Sequence, residues 1–156
     1  MQSDLRAAAI SDIALTVFRL NGTLLHWGDR LVEPLGLTSA RWQMLGAIAL
    51  ANSPLTAPQV GEAMGVTRQG AQKQLNLLRD EGMLESRSNP AHKRSPLYSL
   101  TPKGRALYAR ADALWSAQAA QLAASIPATR LEATTQTLVS ILRHLQTAPF
   151  ALEAQS

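Results

Sequence analysis

A mainly α-helical fold with one small β-hairpin is predicted, on three observations. Apolar residues recur at spacings of three and four through most of the chain, the period of a helix with one buried face. Hydroxyl residues stand repeatedly just before such stretches, and glycine or proline just after them, where helices are capped and stopped. Only residues 83–100 break the pattern, with two short runs of strand-forming residues around a polar tip. At 156 residues the chain is treated as a single folding unit, long enough for one core and short for two.

The first helix shows an apolar seam from Ile10 through Ile13, Val17, Leu20, Leu24 and Trp27 to Leu31, and Pro34 and Gly36 close it. So long a seam suits packing against a second subunit as well as against the chain's own core. A second helix is expected from the Thr38/Ser39 cap through Trp42, Leu45, Ile48 and Ala49 to Asn52-Ser53-Pro54. Thr56-Ala57-Pro58-Gln59 has the form of a capping box and opens a short third helix to Met64, with Gly65 as its turn. Thr67 caps a fourth helix to Glu81, stopped by Gly82. Met83–Arg87 and Leu97–Leu100 read as the paired strands. Thr101-Pro102 then opens a long helix through Leu107, Leu114, Trp115 and Leu122 to the Ile126-Pro127 break, and a last helix carries Leu131, Leu138, Ile141, Leu142 and Leu145. Two helices joined by a glycine turn and followed by a hairpin make a winged helix-turn-helix, with the terminal helices left over for dimerisation. Val60, Ala63, Met64, Val66, Ala71, Leu75 and Leu78 are its expected small core.

Charge is concentrated where this unit lies. The net charge is +4 with a pI near 10.1, ordinary values for a whole soluble chain. Between Val66 and Arg110, however, stand Arg68, Lys73, Arg79, Arg87, Lys93, Arg94, Lys103, Arg105 and Arg110 against Asp80, Glu81 and Glu85. That segment can face a polyanion. With the core positions of the fourth helix turned inward, its outward face carries Arg68, Gln69, Gln72, Lys73 and Asn76, and no acid before Asp80. Glutamine and asparagine pair with adenine in the major groove, and arginine or lysine with guanine. A merely solvated face ordinarily mixes Glu with Lys for i,i+4 support, and this one does not. His92, Lys93 and Arg94 at the hairpin tip can reach a neighbouring minor groove, whose potential attracts cations.

Other chemistries find little support. No cysteine is present, which excludes disulfides, thiolate metal sites and thiol redox sensing. His26, His92 and His144 are scattered, no acidic pair has metal-ligand spacing, and there is no phosphate-cradling glycine loop. No catalytic residue, metal or cofactor is therefore expected. Aromatic residues make up only 4% of the chain, too few for stacking platforms for unpaired RNA bases. The opening Met-Gln-Ser-Asp does not read as a signal peptide and no run reads as a membrane span, so a soluble cytoplasmic protein without a membrane partner is expected.

Leu37-Thr38 before Trp42-Gln43-Met44-Leu45, Val66-Thr67-Arg68-Gln69-Gly70, the run from Leu75 to Leu84, and Leu100-Thr101-Pro102-Lys103-Gly104 after a basic hairpin form a recurrent pattern. In these residues the chain resembles the MarR (multiple antibiotic resistance regulator) family of winged-helix regulators over nearly its whole length. The resemblance implies interlocked terminal helices in a dimer, a recognition helix starting at Thr67 and a wing centred on Lys93 and Arg94. It also implies repression, or less often activation, relieved by a small ligand. The wing departs from the family pattern in carrying Asn89 where aspartate is usual and His92 where a second acid often occurs, while Arg94 matches the wing arginine.

Together these readings make the chain a sequence-specific, double-stranded-DNA-binding transcriptional regulator, a homodimer on an inverted-repeat operator. Residues 1–156 form one unit, with the DNA-binding region at 38–104 and dimerisation helices at 1–36 and 105–147. The expected DNA contacts are Thr67, Arg68, Gln69, Gln72, Lys73, Asn76, Arg87, His92, Lys93 and Arg94. The alternative is a dimeric winged-helix adaptor whose basic face meets an acidic protein. A small aromatic or anionic effector is expected near His26, Trp27, Arg30, Arg41 and Trp42, although these tryptophans also suit a core and the arginines can pair with Asp29 or Glu33.

Overall fold

The computed structural model describes residues 2–148, and side chains from Asp4 onward. The elements are α1 (Gln2–Val32), a 3-10 turn (Glu33–Leu35), α2 (Ser39–Ala51), α3 (Ala57–Met64), α4 (Arg68–Asp80), β1 (Leu84–Arg87), β2 (Leu97–Leu100), α5 (Pro102–Ala123) and α6 (Ala128–Thr147). The contacts divide the chain into two units, residues 1–115 and 116–156, with the boundary inside α5.

Local chemistry sets most boundaries in the first unit. The Thr38 hydroxyl accepts from the Arg41 amide at the start of α2. In the α3 capping box, Gln59 N–H donates to the Thr56 hydroxyl while the Gln59 side chain accepts from the Thr56 amide at 2.9 Å. Thr67 caps α4 by accepting from the Gly70 amide at 3.0 Å. Thr56→Ala should cost about 1 kcal/mol in a urea melt, since it leaves the Gln59 amide without its cap. Gly65 and Gly82 take left-handed φ of 65° and 76°, which lets the chain leave α3 and α4 at once. Asn52 does the same for α2 at φ 50°.

The core of this unit is built from Val32 and Leu37, from Met44, Leu45, Ala47 and Ile48 of α2, Val60 of α3, and Ala71, Leu75 and Leu78 of α4. Ala57 of α3, Leu84, Tyr98 and Leu100 of the hairpin and Leu107 and Ala111 of α5 complete it. Of the expected helix-turn-helix core, Ala63 and Val66 lie outside it and Met64 is half-buried. Helical spacing alone does not separate these flanking positions from the inner ones.

β1 and β2 pair antiparallel, Leu84 opposite Leu100 and Arg87 opposite Leu97. Leu55 adds a bridge to the outer side of β2, exchanging both backbone hydrogen bonds with Tyr98 at 2.8 and 3.1 Å. The Thr-x-x-Gly sequence after β2 has a direct physical reading. Thr101 Oγ1 accepts from the Gly104 amide at 3.0 Å, capping α5, and lies 2.7 Å from the Gly82 carbonyl to which it donates. Lys103 Nζ donates to the Glu81 carbonyl at 3.0 Å, so this short segment clasps the end of α4.

α1 begins at Gln2, well before the Ile10 that opens its apolar seam. Most of that seam stands outside the chain's own core: Ile10, Val17, Leu20 and Leu24 are exposed, and only Ile13, Trp27 and Leu31 are partly buried. The expectation that no run is long and apolar enough to span a membrane needs correction. Asp4–Leu35 meets that test by length and composition, with a mean hydropathy of 1.2 over its most apolar window. The stretch is amphipathic, carrying Arg19, Asn21 and His26 among its apolar residues. In the second unit, α6 carries Leu131, Leu138, Leu142 and Leu145, all exposed.

Candidate nucleic-acid interface

With Ala71, Leu75 and Leu78 packed inward, the helical period turns Gln69 and Lys73 directly outward, flanked by Arg68. All three are exposed, and among the described residues none of their side chains has a hydrogen-bond or ion-pair partner. An ion pair occurs further along the helix, where Arg79 meets Asp80 at 3.0 Å. Thr67 is exposed but occupied as the α4 cap.

Gln72 and Asn76 differ from the expectation of a free outward face. Both are half-buried, and both bond to the fully buried Tyr98 of β2. Gln72 Nε2 donates to the Tyr98 hydroxyl at 2.6 Å and to Asn76 Oδ1 at 3.1 Å, and Tyr98 donates to Asn76 Oδ1 at 3.2 Å. This network ties α4 to the hairpin. Spacing along α4 gives no sign of it, because its third member lies 22 residues beyond Asn76.

The hairpin connection is ordered by its own backbone. Asn89 Oδ1 accepts from the Ala91 amide at 3.1 Å, an Asx turn that also explains how asparagine serves at this position. His92 N–H donates to the Asn89 carbonyl and Ser95 N–H to the His92 carbonyl, and Ser95 is buried. His92, Lys93 and Arg94 are left exposed and, among the described residues, without side-chain partners. Arg87, at the end of β1, is likewise exposed and, among the described residues, unpaired. A groove of about 450 Å³ is lined by Arg68 from α4, by Asn89, Ala91 and His92 from the hairpin tip, and by Thr56 and Gln59 from the start of α3. The start of α4 and the hairpin tip therefore share one face.

The residues expected to hold an effector separate. Trp27 and Trp42 converge with Trp115, which the sequence pattern places only along α5. Ring centroids lie 5.9 Å apart for Trp27–Trp115 and 6.2 Å for Trp42–Trp115, both edge-to-face. Asn21, Leu24, Leu25, Ser39 and Gln43 complete a cavity of about 300 Å³. His26 and Arg30 are exposed and do not line it. Arg41 turns to Glu81 at the end of α4 instead, and Asp29 accepts from the Ser39 amide at 2.6 Å, so the arginine pairings considered from sequence do not form. The signal available in the sequence is that the chain has only three tryptophans, and all three meet here.

Among the described residues no three His, Asp or Glu side chains come together as a metal-binding group. Burial, and then the Asp112 carboxylate beside it, raises the Tyr108 hydroxyl above the usual tyrosine pKa. Stability from the neutral phenol is thus intact below the ordinary tyrosine range and is lost as pH climbs through the raised value.

Two helices joined at a glycine turn, the second hydrogen-bonded to a β-hairpin, define a winged helix-turn-helix protein. Residues 35–95 match the model of the MarR family, and over that region the chain is similar to its winged-helix transcription regulators. An uncharacterised protein of Mycobacterium tuberculosis is 42% identical over 96 residues, which is 62% of this chain and 66% of that protein, just under two thirds of its length. Among solved structures, the M. tuberculosis transcriptional regulator MosR in complex with DNA is similar with a TM-score of 0.68 at 26% identity, covering 85% of this chain and 96% of the other. CouR from Rhodococcus jostii, bound to p-coumaroyl-CoA, has a TM-score of 0.73 at 24% identity, covering 83% and 91%.

Proposed function

We propose that the chain is a sequence-specific regulator that binds double-stranded DNA as a homodimer on an inverted-repeat operator, acting as a repressor in the cytoplasm and not as an enzyme. The observation that carries this reading is the groove shared by Arg68 of α4 and His92 of the hairpin tip, with Gln69, Lys73, Lys93 and Arg94 exposed on the same two elements and, among the described residues, without ion-pair partners. A cationic surface kept free of acidic partners is what counterion release on a phosphate backbone rewards. The amides and cations on α4 are the donors that base edges in the major groove accept. MosR, a similar fold crystallised with DNA, supports the same use.

Residues 38–104 are the DNA-binding region in this reading, and helices within 1–36 and 105–147 form the dimer. Apolar side chains exposed along α1 and α6 favour that assignment, because water is a poor environment for so many leucines. Dimerisation sets the two recognition helices roughly 34–36 Å apart, one DNA turn. Light scattering checks the dimer directly, and a monomer at working concentration contradicts it. Gln69→Ala should relax base preference at one position per half-site, read by selecting bound fragments from random duplex DNA; an unchanged preference removes Gln69 from direct readout.

The effector reading rests on the tryptophan cavity. Its lining holds amides and a hydroxyl but no cation, which favours a small neutral aromatic over a free aromatic acid. Simple phenols should quench tryptophan emission, raise the melting temperature and release operator DNA. If they do none of these, the cavity is a packing feature. A protein adaptor is the second reading, and the exposed basic face suits an acidic partner equally well. It is favoured if the full chain retains no duplex even at low salt.

A further inference from the structure

We propose that the buried Tyr98 hydroxyl is a specificity-determining positioning group, fixing Gln72 as a hydrogen-bond acceptor and Asn76 as a donor toward DNA. The inference rests on the DNA-binding reading above.

Glutamine and asparagine side chains each carry both polarities, so a free amide can turn over and satisfy many base edges. Here the triangle couples the two amides, so that one meets the tyrosine with its N–H groups and the other with its oxygen, and the two present opposite polarities outward; in this structure Gln72 is the donor to the tyrosine. Gln72 Nε2 donates to Tyr98 Oη at 2.6 Å and to Asn76 Oδ1 at 3.1 Å, and the tyrosine proton goes to Asn76 Oδ1 at 3.2 Å. The three bonds close a triangle. Both Gln72 N–H groups and both Asn76 Oδ1 lone pairs are used inside it. What remains is Gln72 Oε1, which can only accept, and Asn76 Nδ2, which can only donate.

Tyr98 is well placed to impose this. It is 0% exposed, and its backbone is held by Leu55 on one side and by the pairing with Ser86 on the other. The ring cannot swing aside without breaking the hairpin. Gln72 and Asn76 are only half-buried, so their remaining polar atoms keep access to a ligand. Major-groove edges sort by the same polarity: adenine and cytosine offer an amino donor, guanine and thymine offer acceptors only, and adenine adds an N7 acceptor beside its amino group. The base beside Gln72 should therefore be adenine or cytosine, and the base beside Asn76 guanine, thymine or adenine but not cytosine.

The test selects duplexes from a random pool with the full-length protein, its Tyr98→Phe variant and its Asn76→Asp variant. Phenylalanine keeps the ring in the core and removes only the hydroxyl; the preference at these two positions should fall about tenfold while that at the Gln69 position is retained. Aspartate keeps the Oδ1 acceptor but replaces the donor, and should exclude guanine and thymine from the neighbouring position and admit cytosine. Side-chain amide NMR on the DNA-free protein reads the triangle itself, with Gln72 N–H exchange slow in the native chain and faster in the Tyr98→Phe variant. Unchanged preferences in both variants overturn the proposal, as does a native preference of the opposite polarity. If the native chain selects no duplex, the DNA-binding reading falls and the specificity role with it, whereas the amide spectra separately show whether the triangle exists.

Discussion

Replacing Lys93 and Arg94 together by alanine is expected to weaken duplex binding broadly and to flatten its salt dependence. Both cations are exposed and without partners among the described residues, so neither contributes an ion pair to folding that its loss would disturb. Each phosphate contact removed takes about 0.9 from the slope of log affinity against log salt, so four such contacts over the two wings of a dimer remove up to about 3.6. At physiological salt that corresponds to a loss of about two to three orders of magnitude. Base preference should hardly change, because phosphate contacts carry no sequence information. An unchanged slope in the double variant would show that the wing does not touch the backbone.

The second large effect is on stability. Gly104→Ala places a Cβ on top of the Met83 carbonyl oxygen and 2.9 Å from its carbon, and both belong to backbone that cannot rotate away. Relief requires α5 to lift from the start of the hairpin, which also strains the Thr101 hydroxyl bonds to the Gly82 and Met83 carbonyls. Overpacking of this kind costs about 3 kcal/mol or more. The expected drop in melting temperature is about 10 °C for a chain of this size. A melting curve within a degree or two of the native protein would mean that the close approach of α5 is not required.

Much of this architecture is legible in the sequence because it is written locally. Thr38, Thr56 with Gln59, Thr67 and Thr101 cap helices within three or four residues of themselves, and Gly65 and Gly82 end them where only a left-handed backbone will do. The hairpin emerges for the same reason, within one residue at Met83. The site is legible in part. Gln69, Lys73, Lys93 and Arg94 stand out because the inward residues of α4 fix the opposite side and the tip lacks acids. What stays hidden depends on partners far apart in sequence. Tyr98 takes Gln72 and Asn76 out of the free face, Glu81 draws Arg41 from the expected ligand site, and Trp115 completes a cavity begun by Trp27 and Trp42. Periodicity says which side of a helix faces inward, not which distant side chain it meets there.

The absence of cysteine makes a direct measurement simple. Gln69→Cys carrying an iron chelate at its only thiol would cut DNA wherever the outward side of α4 comes to rest. Two symmetric clusters of cleavage in successive turns of the major groove, roughly 34–36 Å apart, are the expected pattern on a selected inverted repeat. Cleavage spread evenly along the duplex, or confined to its ends while the protein remains bound, would contradict the placement of this helix against base edges.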